Sequence, residues 1–200
     1  MDTTMSQRKF QASGQRGFTL IETMIAIAIL SFGIISLLAV FGTAVAVTQN
    51  AQENLIARQK ALQAMESIYT ARNSQQITFS QIANSPAGIF TNGATTLLAA
   101  GPDGLVNTLD DVNFAAAPPC PAGPECLVLP GRDGILGTAD DTAMILSNFN
   151  RQIAIGSVLE SDGVTIDPNL KQITVTITYY TSQSHVPQTY TVTALISAFH

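Results

Sequence analysis

The chain has 200 residues, of which 46% are hydrophobic and only 12% are charged, and its formal net charge at pH 7 is −5. This length suits one domain of ordinary size, or a small domain with an appended segment. The acidic balance argues against a dedicated nucleic-acid binder, because such proteins present a basic face to the phosphate backbone. Two Cys and two His are too few for a Cys/His zinc site, which takes about three or four protein ligands.

A short basic leader precedes a long apolar segment. No charged residue lies between Glu22 and Glu53, and this run exceeds the roughly 20 residues that a helix needs to cross a bilayer. A soluble core helix is rarely apolar on every face over such a length. Arg8, Lys9 and Arg16 come before the run, so the positive-inside rule places the N-terminus in the cytoplasm and exports the remainder.

The arrangement differs from that of a secretory signal peptide. A signal peptide has a shorter apolar stretch that ends in a small-residue cleavage site. Here the small and polar residues come before the apolar run, and Gly17 is followed at once by Phe18. An ordinary signal peptide therefore fits poorly, and the length of the apolar run favours insertion in a membrane.

The hexapeptide GFTLIE, from Gly17 to Glu22, resembles the processing site of type IV prepilins and pseudopilins. The resemblance implies that a prepilin peptidase cuts after Gly17 on the cytoplasmic side and N-methylates Phe18. Segments 29–35 and 57–61 are similar to those of V-type minor pilins. No proline interrupts the helical stretch, whereas many major pilins kink their helix there.

Glu22 places a carboxylate near the start of the apolar helix, where a charge costs about 2.5–3.5 kcal/mol on insertion scales. Such a residue normally marks a site with a specific partner. After cleavage the nearest candidate is the α-amino group of Phe18, on the same subunit or on a neighbour. The resemblance implies the neighbour, so that this pair sets the axial register of assembly. The alternative is an interfacial Glu that reaches the lipid headgroups.

Beyond residue 47 the helix is expected to continue as a soluble amphipathic rod and to stop at 73–76. Leu55, Leu62, Met65 and the pair Ile68-Tyr69 recur at spacings of three, four and seven, which predicts one apolar stripe packed on a sheet. The charged residues of this half are assigned to the other faces: Glu53, Arg58, Lys60, Glu66 and Arg72.

An internal repeat lies in the irregular region that follows. Segments 101–111 and 131–141 share a Gly, an Asp-Gly turn, an apolar pair, a Thr and two adjacent Asp. The turn would bring three carboxylates together in each copy. These are Asp103, Asp110 and Asp111 in the first copy, and Asp133, Asp140 and Asp141 in the second. Such an oxygen-rich loop is a candidate Ca²⁺ site, although it is not an EF-hand. The alternative is a duplicated turn whose Asp residues are solvated.

The sequence also contains a pair of cysteines and a C-terminal region in which apolar and polar residues alternate. Cys120 and Cys126 lie between the two copies, and in an exported domain they are expected to form a disulfide. The last 50 residues alternate between apolar and polar positions, as in the run from Ile173 to Tyr179, which predicts half-buried antiparallel strands. The fold class is therefore α+β, and it agrees with the pilin-like fold that the resemblance implies. It consists of a long N-terminal helix packed on a C-terminal antiparallel sheet, with a loop-rich insertion.

The sequence is divided into five parts. They are a leader at 1–17, a transmembrane or filament-core helix at 18–47, an amphipathic helix half at 48–74, a loop-rich region at 75–152 and a sheet at 153–200.

No nucleophile, base or cofactor motif appears, so an enzyme is not expected. The resemblance implies a structural subunit of a type IV pilus, most similar to a minor pilin, with a type II secretion pseudopilin or a major pilin as alternatives. A membrane-anchored Ca²⁺-binding or adhesive module that never polymerises is a further alternative. The implied partners are the prepilin peptidase, other pilin subunits, the assembly platform and the inner membrane. From that membrane the subunit would pass to the pilus, the periplasm or the cell surface.

Overall fold

The computed structural model describes residues 17–181 and 186–199. The leader up to residue 16, part of the turn expected between β-strands at 182–187, and His200 lie outside the described residues. The chain divides into two compact units, Met1–Val45 and Ala46–His200, and one helix contributes to both.

The helix α1 spans Leu20–Asn73, and six strands follow it in the sequence. The strands are β1 (Thr95–Thr96), β2 (Cys126–Leu129), β3 (Thr142–Ile145), β4 (Phe149–Leu159), β5 (Ile166–Tyr179) and β6 (Gln188–Ser197). One antiparallel sheet has the order β1-β4-β5-β6, and β2 and β3 form a separate two-stranded hairpin. This α+β arrangement confirms the expected fold class. The three long strands of this sheet begin at Phe149, slightly before the expected boundary at 153, and its short strand β1 lies in the expected loop-rich region.

The core of the Ala46–His200 unit lies between the second half of α1 and the four-stranded sheet. Ala57, Ala61 and Ala64 recur on one side of the helix and are no more than 1% exposed. Their short side chains form the helix side of this core. On the sheet side, alternate residues of β5 such as Ile173 and Ile177 are fully buried, as the period of two predicts.

Polar contacts attach the helix to the sheet at both ends of this core. The Asn54 side-chain amide donates a hydrogen bond to the Tyr179 hydroxyl at 3.2 Å. The Tyr69 hydroxyl donates to the carbonyl of Leu195 at 2.5 Å. The ring of Tyr179 also stacks on that of Phe149, with 5.1 Å between the ring centroids.

The expected apolar stripe of α1 is partly wrong. Met65 and Ile68 are buried as predicted, but Leu55 and Leu62 are 63% and 44% exposed. The buried side follows the small residues of the helix instead, and it also includes Glu53 and Arg72, which were assigned to other faces. Arg72 is accommodated there because its guanidinium donates a hydrogen bond to the carbonyl of Ala198 at 2.9 Å. Burial raises the pKa of the Glu53 carboxyl above its ordinary range.

Candidate functional site

The expected cleavage site lies directly before the first turn of α1. Gly17 and Phe18 precede the helix, and both are exposed. Thr19 is the N-cap, because its carbonyl accepts hydrogen bonds from the amides of Glu22 and Thr23 at 3.1 and 3.2 Å. Thr19 and Glu22 thus have the spacing of a capping box, in which the carboxylate also lies at the positive end of the helix dipole. Local helix chemistry therefore accounts for where α1 begins.

The apolar part of α1 has the properties of a membrane span. It is long and apolar enough to cross a bilayer, with a mean hydropathy of 2.7 over its most apolar window, and none of that window is buried. Its hydroxyl groups bond within the helix: Ser31 donates to the carbonyl of Ile27 and Ser36 donates to that of Phe32, each at 2.8 Å. Serines satisfied in this way are tolerated in lipid. Glu22 is the charged residue of this segment, and no ion pair reaches it among residues 17–181 and 186–199.

The two acidic loops, which we define as residues 101–111 and 131–141, fold alike. In the first loop the Asp103 carboxylate accepts a hydrogen bond from the amide of Leu105 at 2.8 Å. In the second, Asp133 accepts one from the amide of Ile135 at 2.9 Å. In both, the amide of this first Asp donates to the carboxylate of the second, Asp110 or Asp140. The predicted turn is therefore present in each copy.

The remaining carboxylates also accept hydrogen bonds from their own loop. Thr108 donates to Asp110 at 2.6 Å, and Thr138 donates to Asp140 at 2.7 Å. The last Asp of each loop accepts an amide: Asp111 from Asn107 at 2.8 Å, and Asp141 from Gly137 at 2.7 Å. The shared Thr and Asp residues of the repeat thus hold the loop backbone in shape.

The first glycine of each loop is required by a close approach. A Cβ atom added at Gly101 would lie 2.3 Å from the carbonyl oxygen of Asp110, and one added at Gly131 would lie 2.3 Å from that of Asp140. No side chain fits at that distance. This shared glycine therefore belongs to the same folding unit as the shared carboxylates.

The six Asp side chains predicted to bind calcium are not clustered around a common point. In the described part of the chain, no group of three or more His, Cys, Asp or Glu side chains is arranged to hold a metal ion. The carboxylates instead accept hydrogen bonds from their own loop, and a cation would have to replace some of these. Calcium binding therefore stays a prediction.

The hydrogen bond between Thr138 and Asp140 in the second loop predicts that the stability of the fold depends on pH. The hydrogen bond from Thr138 is the main reason that the pKa of Asp140 lies below its ordinary value near 3.8. A carboxyl with a lowered folded-state pKa stabilises the fold above its unfolded value, and this stability is lost as the pH falls through the folded value. We expect Thr138→Val to raise the pKa of Asp140 and to lower the melting temperature at pH 7, with the difference shrinking in acid. Carboxyl ¹³C NMR titration measures this pKa directly.

Thr142→Val is a matched control for this variant. Thr142 is an exposed threonine at the start of β3, immediately after the loop. The variant Thr142→Val should leave the pKa of Asp140 unchanged. An unchanged Asp140 titration in Thr138→Val would contradict the role given to the threonine.

The disulfide expected between Cys120 and Cys126 is present, with the two Cα atoms 6.0 Å apart. It links the start of β2 to the preceding loop. The predicted pairing of the two cysteines is therefore confirmed.

A buried charge cluster was not anticipated from the sequence. It consists of Lys60 on α1, Glu125 just before β2, and Arg151 on β4. The Glu125 carboxylate lies 2.5 Å from the Lys60 ammonium and 3.7 Å from the Arg151 guanidinium. Asn107, in the first acidic loop, accepts a hydrogen bond from Nε of Arg151 at 3.1 Å. The cluster therefore connects the helix, the hairpin, the sheet and the first loop.

Burial dominates the electrostatics of this cluster. The Arg151 side chain is only 2% exposed, and burial lowers its pKa, while the negative charges of Glu125 and Asp111 oppose that effect. The three charged residues are separated by 65 and 26 positions in the sequence. No motif could have associated them, because each lies in a different element.

The comparisons with known proteins bear on the N-terminal segment. Residues 12–46 match the family described as Prokaryotic N-terminal methylation motif. No curated protein and no solved structure matches the chain. The match contains Gly17, Phe18, Glu22 and most of the apolar run, and it implies processing by prepilin peptidase, pilin assembly and anchoring in the inner membrane. The chain therefore carries the type IV prepilin-like signal, which supports a type IV pilin-like or pseudopilin precursor.

Proposed function

We propose that the chain is a minor pilin, a structural and non-catalytic subunit that is built into, or primes, a type IV pilus. The observation that carries this proposal is the N-terminal methylation motif followed directly by an uninterrupted apolar helix. The similarity of segments 29–35 and 57–61 to V-type minor pilins, and the absence of proline from α1, support the minor type.

The proposed assembly step rests on charge neutralisation. Cleavage after Gly17 creates a new positive α-amino group on Phe18, at the start of the retained helix. A carboxylate and an amine that are both in an apolar environment are far less costly together than apart. Glu22 of an incoming subunit would therefore pair with Phe18 of the subunit before it, and the pairing would set the axial register.

Glu22→Ala tests this step. We expect the variant to be cleaved and to remain in the inner membrane, but to fall about tenfold or more in the sheared filament fraction, since tenfold corresponds to about 1.4 kcal/mol. Glu22→Gln separates the role of this residue in helix capping from its role in charge pairing. It keeps the shape needed for a capping box but removes the charge, so it should also fail to assemble.

Glu160→Ala is the control for this pair, because Glu160 is an exposed carboxylate just after β4, outside the apolar segment. It should reach the filament fraction at the wild-type level. Wild-type amounts of Glu22→Ala in sheared filaments would overturn the pairing.

The abundance of the chain separates the minor-pilin proposal from its alternatives. A minor pilin should form a small fraction of the protein in sheared pili, whereas a major pilin would be the main band. A type II secretion pseudopilin would remain with the cell envelope. Quantitative mass spectrometry of both fractions distinguishes the three outcomes.

Calcium binding by the two acidic loops is a further part of the proposal. It is supported by three carboxylates in each loop, which supply oxygen ligands of the kind that Ca²⁺ takes. Titration with CaCl₂ should raise the melting temperature of the EDTA-treated chain, because a ligand of the folded state stabilises it. The double variant Asp140→Asn and Asp141→Asn should remove the contribution of the second loop. An identical melting temperature in CaCl₂ and in EDTA would rule calcium out.

A further inference from the structure

The two acidic loops have the same internal hydrogen bonds but differ in the surroundings of their apolar pair. In the first loop Leu105 is 1% exposed and belongs to the core. In the second, the equivalent Ile135 and its neighbour Leu136 are each 61% exposed. The difference does not come from loop geometry, since the same residues close both turns. The second loop therefore presents an apolar tip that the first loop buries.

The first loop shows what such a tip can pack against. Its Gly104-Leu105 turn lines one shallow cavity together with Ser67 and Ala71 of the last turns of α1. The side-chain amide of Gln76, just after the helix, donates a hydrogen bond to the carbonyl of Asp103. The first acidic loop thus packs against the side of α1 in its own chain.

A helix face suited to the second loop is exposed on α1. Leu55 and Leu62 are 63% and 44% exposed, and their spacing of seven places them on one side of the helix. Arg58 lies between them and is exposed. These three residues line a shallow groove together with Gln59 and Glu66. We call it the Leu55–Leu62 face.

The charge of the second loop is complementary to the centre of the helix face. The second loop carries one cation, Arg132, and three carboxylates, Asp133, Asp140 and Asp141, so its net charge is −2. On the helix face, the exposed cation Arg58 separates the two leucines, whereas the carboxylate of Glu66 lies beyond Leu62. Lys60 also lines the groove, but it is paired with Glu125. Apolar contact would supply most of the stabilisation, and the charges would favour the correct orientation.

We infer that the second acidic loop of one subunit docks on the Leu55–Leu62 face of α1 in a second copy of this chain. In this contact the second loop packs on the helix of another subunit, just as the first loop packs on the helix of its own subunit. It rests on the proposed function, because it supposes that subunits assemble side by side. Two adjacent copies suffice, so the contact is compatible with a minor component of a filament.

Site-specific photocross-linking of the full-length chain in cells tests the contact. Leu136 is replaced by p-benzoylphenylalanine and the cells are irradiated. We expect a covalent dimer of the chain in which the probe is attached to the tryptic peptide 61–72, which contains Leu62, or to the peptide that ends at Arg58. Arg58→Glu should lower the dimer yield by about tenfold, because it places like charges together. The matched control probe replaces Val164, which is 81% exposed in an unrelated turn, and it should give no attachment to these helix peptides.

The outcomes separate this contact from the proposed function. No dimer, or attachment to a different protein or peptide, overturns the docking. The N-terminus of the same sample is read by mass spectrometry. A chain that begins at Phe18 but gives no dimer contradicts the docking alone. An unprocessed chain that still gives the expected dimer contradicts the pilin proposal and leaves the contact in place.

Discussion

Replacing Glu125 with Ala is expected to lower the free energy of unfolding of the Ala46–His200 unit by about 3–5 kcal/mol. The reason is the Arg151 guanidinium, whose side chain is 2% exposed and cannot turn to water. One of its terminal nitrogens, Nη2, has no hydrogen-bond partner among the described residues. Removing the carboxylate beside it leaves a buried cation whose one direct partner within residues 17–181 and 186–199 is the Asn107 oxygen.

Urea denaturation of the detergent-solubilised chain, followed by tyrosine circular dichroism, measures this effect. The chain has four tyrosines and no tryptophan, and all four tyrosines lie in the Ala46–His200 unit: Tyr69, Tyr179, Tyr180 and Tyr190. Glu160→Ala removes an exposed carboxylate from the same unit and should change the free energy of unfolding by no more than about 0.5 kcal/mol.

A double variant separates charge from packing in this cluster. Adding Arg151→Met to Glu125→Ala removes the stranded cation and keeps an unbranched side chain of similar length. The double variant should therefore be more stable than Glu125→Ala alone. Equal stability of Glu125→Ala and Glu160→Ala would show that the buried charge is not held by Glu125.

The second large effect concerns the two equivalent apolar positions of the repeat. Leu105→Ala should cost about 2–5 kcal/mol, because it leaves a cavity in the core. Ile135 holds the equivalent position in the second loop. Ile135→Ala should nevertheless change the free energy of unfolding by no more than about 0.5 kcal/mol, because that side chain is already mostly in solvent. Each variant is the control for the other, since both delete an aliphatic side chain after the same Asp-Gly turn.

The same urea titration measures this pair in the solubilised chain. Similar losses in Leu105→Ala and Ile135→Ala would mean that the second loop is also packed in the isolated subunit. That result would contradict the exposed tip as well as the burial difference between the copies.

The features that the sequence predicted are those with local causes. The helix begins where Thr19 and Glu22 form a capping pattern, and it ends at Asn73, where Gln75 adopts a positive φ of 60°. The β5 alternation and the disulfide likewise depend on short-range spacing. The N-terminal motif is equally local, because six consecutive residues carry it.

The features that the sequence did not predict depend on packing between distant segments. Lys60, Glu125 and Arg151 meet only because a helix, a hairpin and a strand converge. Leu55 and Leu62 match an apolar period, but the buried side of the helix is formed by its alanines together with Ile56, Met65 and Ile68. The copies of the repeat look equivalent in sequence, and only their tertiary environment makes one tip buried and the other exposed.

Intact mass spectrometry of the protein from native membranes and sheared filaments tests whether the chain is processed as a prepilin, because one spectrum reports cleavage, methylation and the disulfide together. The prepilin-like motif predicts a mature chain that begins at Phe18, about 14 Da heavier from one methyl group and about 2 Da lighter from the closed Cys120–Cys126 disulfide. A full-length uncleaved chain, or one cut after the apolar segment, would contradict processing as a pilin.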